Sequence, residues 1–229
     1  MIYFIQFSPS GTAIGYGSCP ESATLPASAL PCTQEQRDNW QQYVASNGEI
    51  VAAPDSVLLQ QAQTAQIALV TKGYNAATNY VPVTVNGTSY QVDNTPGKQA
   101  LNLSLAITAK GMLNASAWAA STEYAEGAYC SVGGVILFCS ASGKSGTSAP
   151  TPPTTFGTPV TDGTAAWELL GRKVYLQGGS FVYMTPQQIM EAFQQGELYL
   201  HQMSDQLELL KVEINAATTV SAVQTYTFP

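Results

Sequence analysis

Charge is what this sequence has least of. Asp, Glu, Lys and Arg together make up 10% of its 229 residues, against about 25% in an ordinary soluble domain. The eight basic residues are scattered singly. No Lys/Arg cluster is present to neutralise a row of phosphates, which argues against nucleic acid and against anionic membranes as partners. The net charge of −7 points the same way. Long apolar runs are missing too. Nothing approaches the ~18 consecutive apolar residues of a membrane span, so no membrane insertion is expected. The opening Met1 to Phe7 has no positive charge ahead of a very short apolar run, unlike a signal peptide. A soluble chain made in the cytoplasm is the expectation.

Histidine is represented by His201 alone, and the four cysteines contain no C-x-x-C pair. That composition gives no zinc site, and no metal or cofactor is expected. Catalytic motifs fail in turn. Gly143-Lys144-Ser145 resembles the end of a phosphate-binding loop, but Phe138 stands where the first glycine belongs and Gly146 to Pro150 cannot open a helix. No G-x-S-x-G occurs. The acids are mostly single, and His201 reads as solvent-facing with no visible nucleophile beside it. No catalytic residue is assigned. Cys19, Cys32, Cys130 and Cys139 read as buried free thiols, with disulfides as the alternative in an oxidising setting. The geometry of Cys130 and Cys139 can be tested on paper. With Gly133-Gly134 as the two turn residues of a hairpin, Cys130 opposes Leu137. Only with the turn shifted to Gly134-Val135 do Cys130 and Cys139 face each other as a candidate disulfide.

What the chain does have is apolar content, at 45%, enough for one large or two small domains with a real core. The sequence predicts an α+β fold. Residues 1–18 read as a hairpin turning at Ser8-Pro9-Ser10-Gly11. Cys19 to Pro31 reads as irregular, and Thr33 as the cap of a short helix through Val44, ended by Asn47-Gly48. Asp55 caps a helix to about Ala77. Val81 to Val92 is the clearest hairpin, with Asn86-Gly87 as its I′ turn, Val83 opposite Tyr90 and Val85 opposite Thr88. Thr95-Pro96 opens a helix to about Met112. Residues 116–172 lose helical periodicity and become rich in Gly, Ser, Thr and Pro, as in a small inserted β module. Val174 to Met184 is a further hairpin around Gly178-Gly179. Thr218 to Pro229 reads as an extended tail. The divisions are an N-terminal docking region at 1–54, an α+β domain in two parts at 55–115 and 173–229, and the insert at 116–172.

The long helix from Thr185 to about Ala217 organises the rest. Thr185 and Gln188 form a capping box, Pro186 suits the first helical position, and Met184 and Ile189 can staple the start. Ile189, Phe193, Gly196, Leu200, Met203, Leu207, Leu210, Ile214 and Ala217 then recur at spacings of four and three. The period is about 3.5 residues, that of a seam between helices. At ~1.5 Å per residue the seam would run roughly 43 Å. Two readings stay open: a partner helix in a homo-oligomer, or packing on the chain's own elements. The scarcity of flanking charges, with only Glu197, Lys211 and Glu213, favours the second.

Two resemblances rest on these residues. Ala117-Trp118, Thr122-Glu123-Tyr124-x-x-Gly127, Gly133-Gly134, Phe138-Cys139, Ser145 to Pro150 and Asp162-Gly163-Thr164-x-x-Trp167 make residues 116–172 similar to a β module common in phage tail proteins and to the carbohydrate-binding modules of chitinases. That likeness implies candidate glycan contacts at Trp118, Tyr124 and Trp167, but Ser140 to Gly143 bring no aromatic where those modules stack sugars, which favours these three residues as the module's own core. The flanking parts resemble a domain of unknown function at the C-terminal end of phage tail-fibre and baseplate-associated proteins. The residues are Val83-x-Val85-Asn86-Gly87-x-x-Tyr90-Gln91-Val92-Asp93, Phe181-Val182-Tyr183-Met184-Thr185 and Leu210-Lys211-x-x-Ile214-Asn215-Ala216-Ala217. The resemblance implies a non-enzymatic virion component of a phage tail, a homotrimer seamed through Ile189, Phe193, Leu200, Met203, Leu207, Leu210 and Ile214, with other tail or baseplate proteins as partners. Alternatives are an adhesin for host surface glycans acting through 116–172, and a tail-fibre assembly chaperone.

Overall fold

A computed structural model describes residues 1–229, and the fold class is α+β. The chain divides into two compact units, one of Met1–Thr71 with Glu208–Pro229 and one of Lys72–Leu207. The division falls inside two of the helices. The inserted stretch 116–172 lies wholly within the second unit.

In the first unit, β1 (Ile2–Phe7), β2 (Ala13–Cys19) and β3 (Ala29–Cys32) form an antiparallel sheet with β1 central. The hairpin expected over 1–18 is present, but the stretch read as irregular supplies a third strand. Ile5, Phe7 and Ala13 are buried under Leu30, Trp40, Tyr43 and Ile50. The helix expected from Thr33 to Val44 is broken. Thr33 and Gln36 do form a capping box, yet α1 is only Gln34–Asp38. A single 3₁₀ turn, Trp40–Gln42, leads into β4 (Tyr43–Ser46), paired with β5 (Glu49–Ala52). Asn47-Gly48 is the turn of that hairpin, with φ of 51° and 80°. Both central residues of a I′ turn need positive φ, and Asn-Gly supplies it at least cost. The dipeptide therefore joins two strands here and does not end a helix. The helix α2 (Asp55–Thr78) starts in this unit. Its Gln63 amide lies 3.1, 3.1 and 3.2 Å from the carbonyls of Ile214, Asn215 and Ala217, the orphan acceptors at the end of the last long helix. Buried Gln66 donates to the Tyr226 carbonyl. The tail expected to be extended therefore folds back.

In the second unit, β6 (Tyr80–Val85) and β7 (Thr88–Asp93) form the Asn86-Gly87 hairpin in the expected register, Val83 opposite Tyr90 and Val85 opposite Thr88. The helix α3 (Pro96–Met112) follows, with Thr95 at the cap position. Thr95 makes no capping bond; its hydroxyl donates to Asp93 at 2.7 Å. The insert contains β8 (Glu123–Tyr124), β9 (Tyr129–Val132), β10 (Val135–Ala141), β11 (Gly143–Lys144), β12 (Val160–Asp162) and β13 (Ala165–Leu169). Its sheet runs β12-β13-β10-β9, with β8 and β11 as a separate pair. Strand β10 is covered on both faces. Leu137 and Cys139 look toward Trp167, and Ile136 joins Met112 and Leu170 in a second cluster. The hairpin of β14 (Arg172–Tyr175) and β15 (Phe181–Met184) meets β7 through one bridge, Val92 to Leu176.

The long helix α4 (Pro186–Ala216) begins as read. Thr185 N–H donates to Gln188 Oε1 at 2.8 Å, Gln188 N–H donates to Thr185 Oγ1 at 3.3 Å, and Met184 and Ile189 are buried in one cluster with Val81, Val83 and Val85. A four-residue α5 (Val220–Val223) replaces the extended tail. Val223 is fully buried, which is what holds it there.

Candidate functional site

The seam residues are the first place to look. Ile189, Leu207 and Ile214 are buried within the single chain at 4%, 6% and 0% exposure. Phe193, Leu200, Met203 and Leu210 are half-buried. A second copy is therefore not needed to cover this ridge. The reason is visible in the second unit: the β6–β7 hairpin and α3 present Val81, Val83, Leu105 and Ala109 to the start of α4. Gly196, which costs helix propensity, sits where α4 comes closest to β6. A Cβ there would lie 3.3 Å from Val81 Cγ1. Next to it Gln195 works as a strand edge, its amide accepting from Thr84 N–H at 2.8 Å and donating to Thr84 C=O at 2.7 Å. No local pattern marks Gln195 in the sequence, because the bond depends on where β6 ends up.

What remains open on this side is a groove of about 490 Å³ within the second unit, lined by Val81, Val83, Phe193, Gly196 and Leu200, with Asn75, Asn94, Gln99, Asn102 and Glu197 among its polar residues. Asn94 and Asn102 already donate to Thr78 C=O and Asp93 C=O. The groove is an apolar slot that carries no reactive pair.

The candidate glycan contacts are core. Trp167 is fully buried, so no sugar ring can reach it. Its indole N–H and that of Trp118 both donate to Asp162 Oδ2, at 3.1 and 2.8 Å. Asp162 Oδ1 accepts from Gly146 N–H at 2.8 Å. Tyr124 stands edge-on to Trp167, 4.8 Å between centroids, and its hydroxyl accepts from Ala119 N–H at 2.8 Å. Ser145 Oγ accepts from Thr122 N–H and donates to Ala119 C=O. The residues that carry the module's resemblance are thus the ones that hold the module together. The glycan alternative fails for Trp167, which is buried, and Trp118 and Tyr124 are half-buried against it with their polar ends engaged internally, as the core reading expects.

The candidate disulfide is corrected as well. Gly133 and Gly134 take φ of 58° and 83°, filling both positive-φ positions of the turn, and Cys130 opposes Leu137. The shifted register would need a Gly-first II′ turn at Gly134-Val135, and Val135 is instead paired with Val132 in the ladder. All four cysteines are free. Cys19 and Cys32 flank β1 from opposite sides, opposite Ile2 and Tyr3. Two strand spacings, about 9–10 Å, exceed the ~7 Å that a disulfide can bridge. Burial pushes the Cys130 thiol up to about 11, with Cys139 and Asp162 nearby adding to it. Burial raises Cys139 too, while its S–H donates to Ala141 C=O at 3.1 Å. Such thiols are inert rather than nucleophilic.

His201 is exposed on α4. No group of three or more His, Cys, Asp or Glu side chains gathers to hold a metal ion, and no helix is long and apolar enough to cross a membrane. No family model matches this chain, and no curated protein or solved structure matches it.

Proposed function

We propose that this chain is a non-enzymatic structural component of a bacteriophage tail, at the baseplate or a fibre attachment point, and that several copies assemble along α4. The observation that carries the assembly is the outer face of that helix. Leu198, Leu209 and Val212 are 61%, 59% and 65% exposed. At about 100° per residue they share one face, opposite Ile189, Leu207 and Ile214. The inner ridge is used by the fold; the outer aliphatics have no partner in the chain. Large aliphatics held in water on a 31-residue helix favour burial against a copy of the same face.

The virion assignment rests on the resemblance of 55–115 and 173–229 to tail-fibre and baseplate-associated proteins, and on a surface low in charge and rich in neutral hydrogen-bonding residues. In this reading 1–54 docks to a neighbouring tail protein and 116–172 is a decoration held by its own polar lattice. Protein identification on purified particles tests it. The expected result is this chain in the tail fraction at a fixed ratio to the other tail proteins. Presence in the lysate with absence from particles would replace it with an assembly chaperone.

A further inference from the structure

A second cleft, of about 390 Å³, opens inside the second unit between the insert and the β14–β15 hairpin. Its walls are aromatic: Tyr129 and Phe138 from the insert, with ring centroids 6.0 Å apart, then Phe156 and Tyr183, 5.8 Å apart. The wall is built deliberately by the chain. Phe156 is pinned by a backbone bridge to Leu169. Its ring fills the place where a side chain on Gly171 would stand, with Cδ1 2.5 Å from the would-be Cβ. Lys173 Nζ lies 4.3 Å over the Phe181 ring and 5.9 Å from the centroid of Tyr183, closest to the ring outside the cleft.

Two polar groups share the cleft, Glu168 and Arg172. Arg172 Nε is buried and has no hydrogen-bond partner. Neither side chain belongs to the molecule's ion pairs, Met1–Glu21, Arg37–Asp38 and Lys211–Glu208. A buried N–H without a protein partner takes its acceptor from outside the protein, a water or a ligand oxygen. One donor, one acceptor and flat apolar walls form a small-molecule site in miniature, and the volume lies in the usual range of about 300–1,000 Å³.

We propose that this cleft binds a pyranose ring of a surface polysaccharide, its C–H face stacked on the aromatic wall, one ring substituent oxygen accepting from Arg172 Nε and one hydroxyl donating to Glu168. A sugar is the ligand class whose two faces match both features at once. Glu168 and Arg172 bring one charge of each sign to the cleft, which disfavours a strongly charged ligand of either sign, so the ring is neutral. The site is distinct from Trp118, Tyr124 and Trp167, and it does not depend on where the chain resides or on its copy number.

The test uses the full chain against a panel of labelled bacterial lipopolysaccharide O-chains, capsular polysaccharides and neutral hexose oligomers, with saturation-transfer NMR on any hit. Binding to at least one neutral saccharide is expected, weakened tenfold or more by Arg172→Met and by Tyr183→Ser. Tyr183 is 44% exposed, so that variant keeps its fold even if Arg172→Met loses it. Silence across the panel overturns the proposal. So does saccharide binding indifferent to Tyr183→Ser, or binding confined to charged saccharides. The purified chain is read here, so particle composition can fail without touching this result, and the reverse.

Discussion

Asp162 carries the inserted module at the scale of single residues. A buried carboxylate needs hydrogen bonds for its lone pairs, and Trp118, Trp167 and Gly146 provide them within 2.8–3.1 Å. The same cluster explains why the sequence shows these residues as core aromatics yet leaves a glycan alternative open. Trp118, Tyr124, Asp162 and Trp167 stand out by type and spacing, but whether an indole faces water or a carboxylate is decided by strand pairing. Cys139 opposite Trp167 is a long-range fact. Arg172 and Tyr183 were invisible as a pair for the same reason. Cys130 gives the pH dependence. Its thiol rises from an ordinary 9.0 to about 11, chiefly through burial. The folded state therefore holds that proton more tightly than the unfolded chain. The stability is fully present below about pH 9 and is lost as pH rises toward 11, worth on the order of 2–3 kcal/mol. Urea midpoints measured from pH 8 to 11 should fall more steeply for the natural chain than for Cys130→Ala. Parallel slopes would show that the thiol does not titrate late.

At the scale of elements, the start of α4 was the most legible feature, because a capping box and a proline at the first position are local signals that need no tertiary partner. Thr185→Ala should remove one of its two bonds and cost about 1 kcal/mol, with a range of roughly 0.5–2. The expected readout is a lower urea midpoint at unchanged m-value, with Thr185→Ser retaining most of the stability. No change would mean that packing of Met184 and Ile189 alone sets the helix start. The Asn86-Gly87 hairpin was legible on the same local grounds, and its register followed from turn length. Asn47-Gly48 shows the limit. The same dipeptide reads as a helix end in the sequence because Thr33 signals a helix before it. Only the positive φ at both residues, together with Val44 paired to Val51, marks it as a hairpin turn. The four-residue α5 was missed because a buried Val223 and the Gln66 bond hold it, not its own propensity.

At the scale of the whole molecule, the proposed assembly turns on which side of α4 would face another copy. The period of about 3.5 along Ile189, Leu207 and Ile214 was legible, but periodicity cannot say whether an apolar ridge meets a partner or the chain's own sheet. Here the fold covers much of it, and in the proposed assembly the outer ridge of Leu198, Leu209 and Val212 takes the contact. The two ridges predict opposite outcomes for the same chemistry. Leu209→Asp with Val212→Asp places charges on an exposed face, so circular dichroism and melting of the subunit should stay near those of the natural chain. Native mass spectrometry should then show the assembly reduced to single chains. Ile214→Asp buries an unpaired carboxylate at a position with 0% exposure, at a cost of several kcal/mol, and should lose folded protein altogether. A natural chain that runs as a monomer at micromolar concentration, or a double variant with unchanged native mass, would remove the outer face of α4 from the assembly.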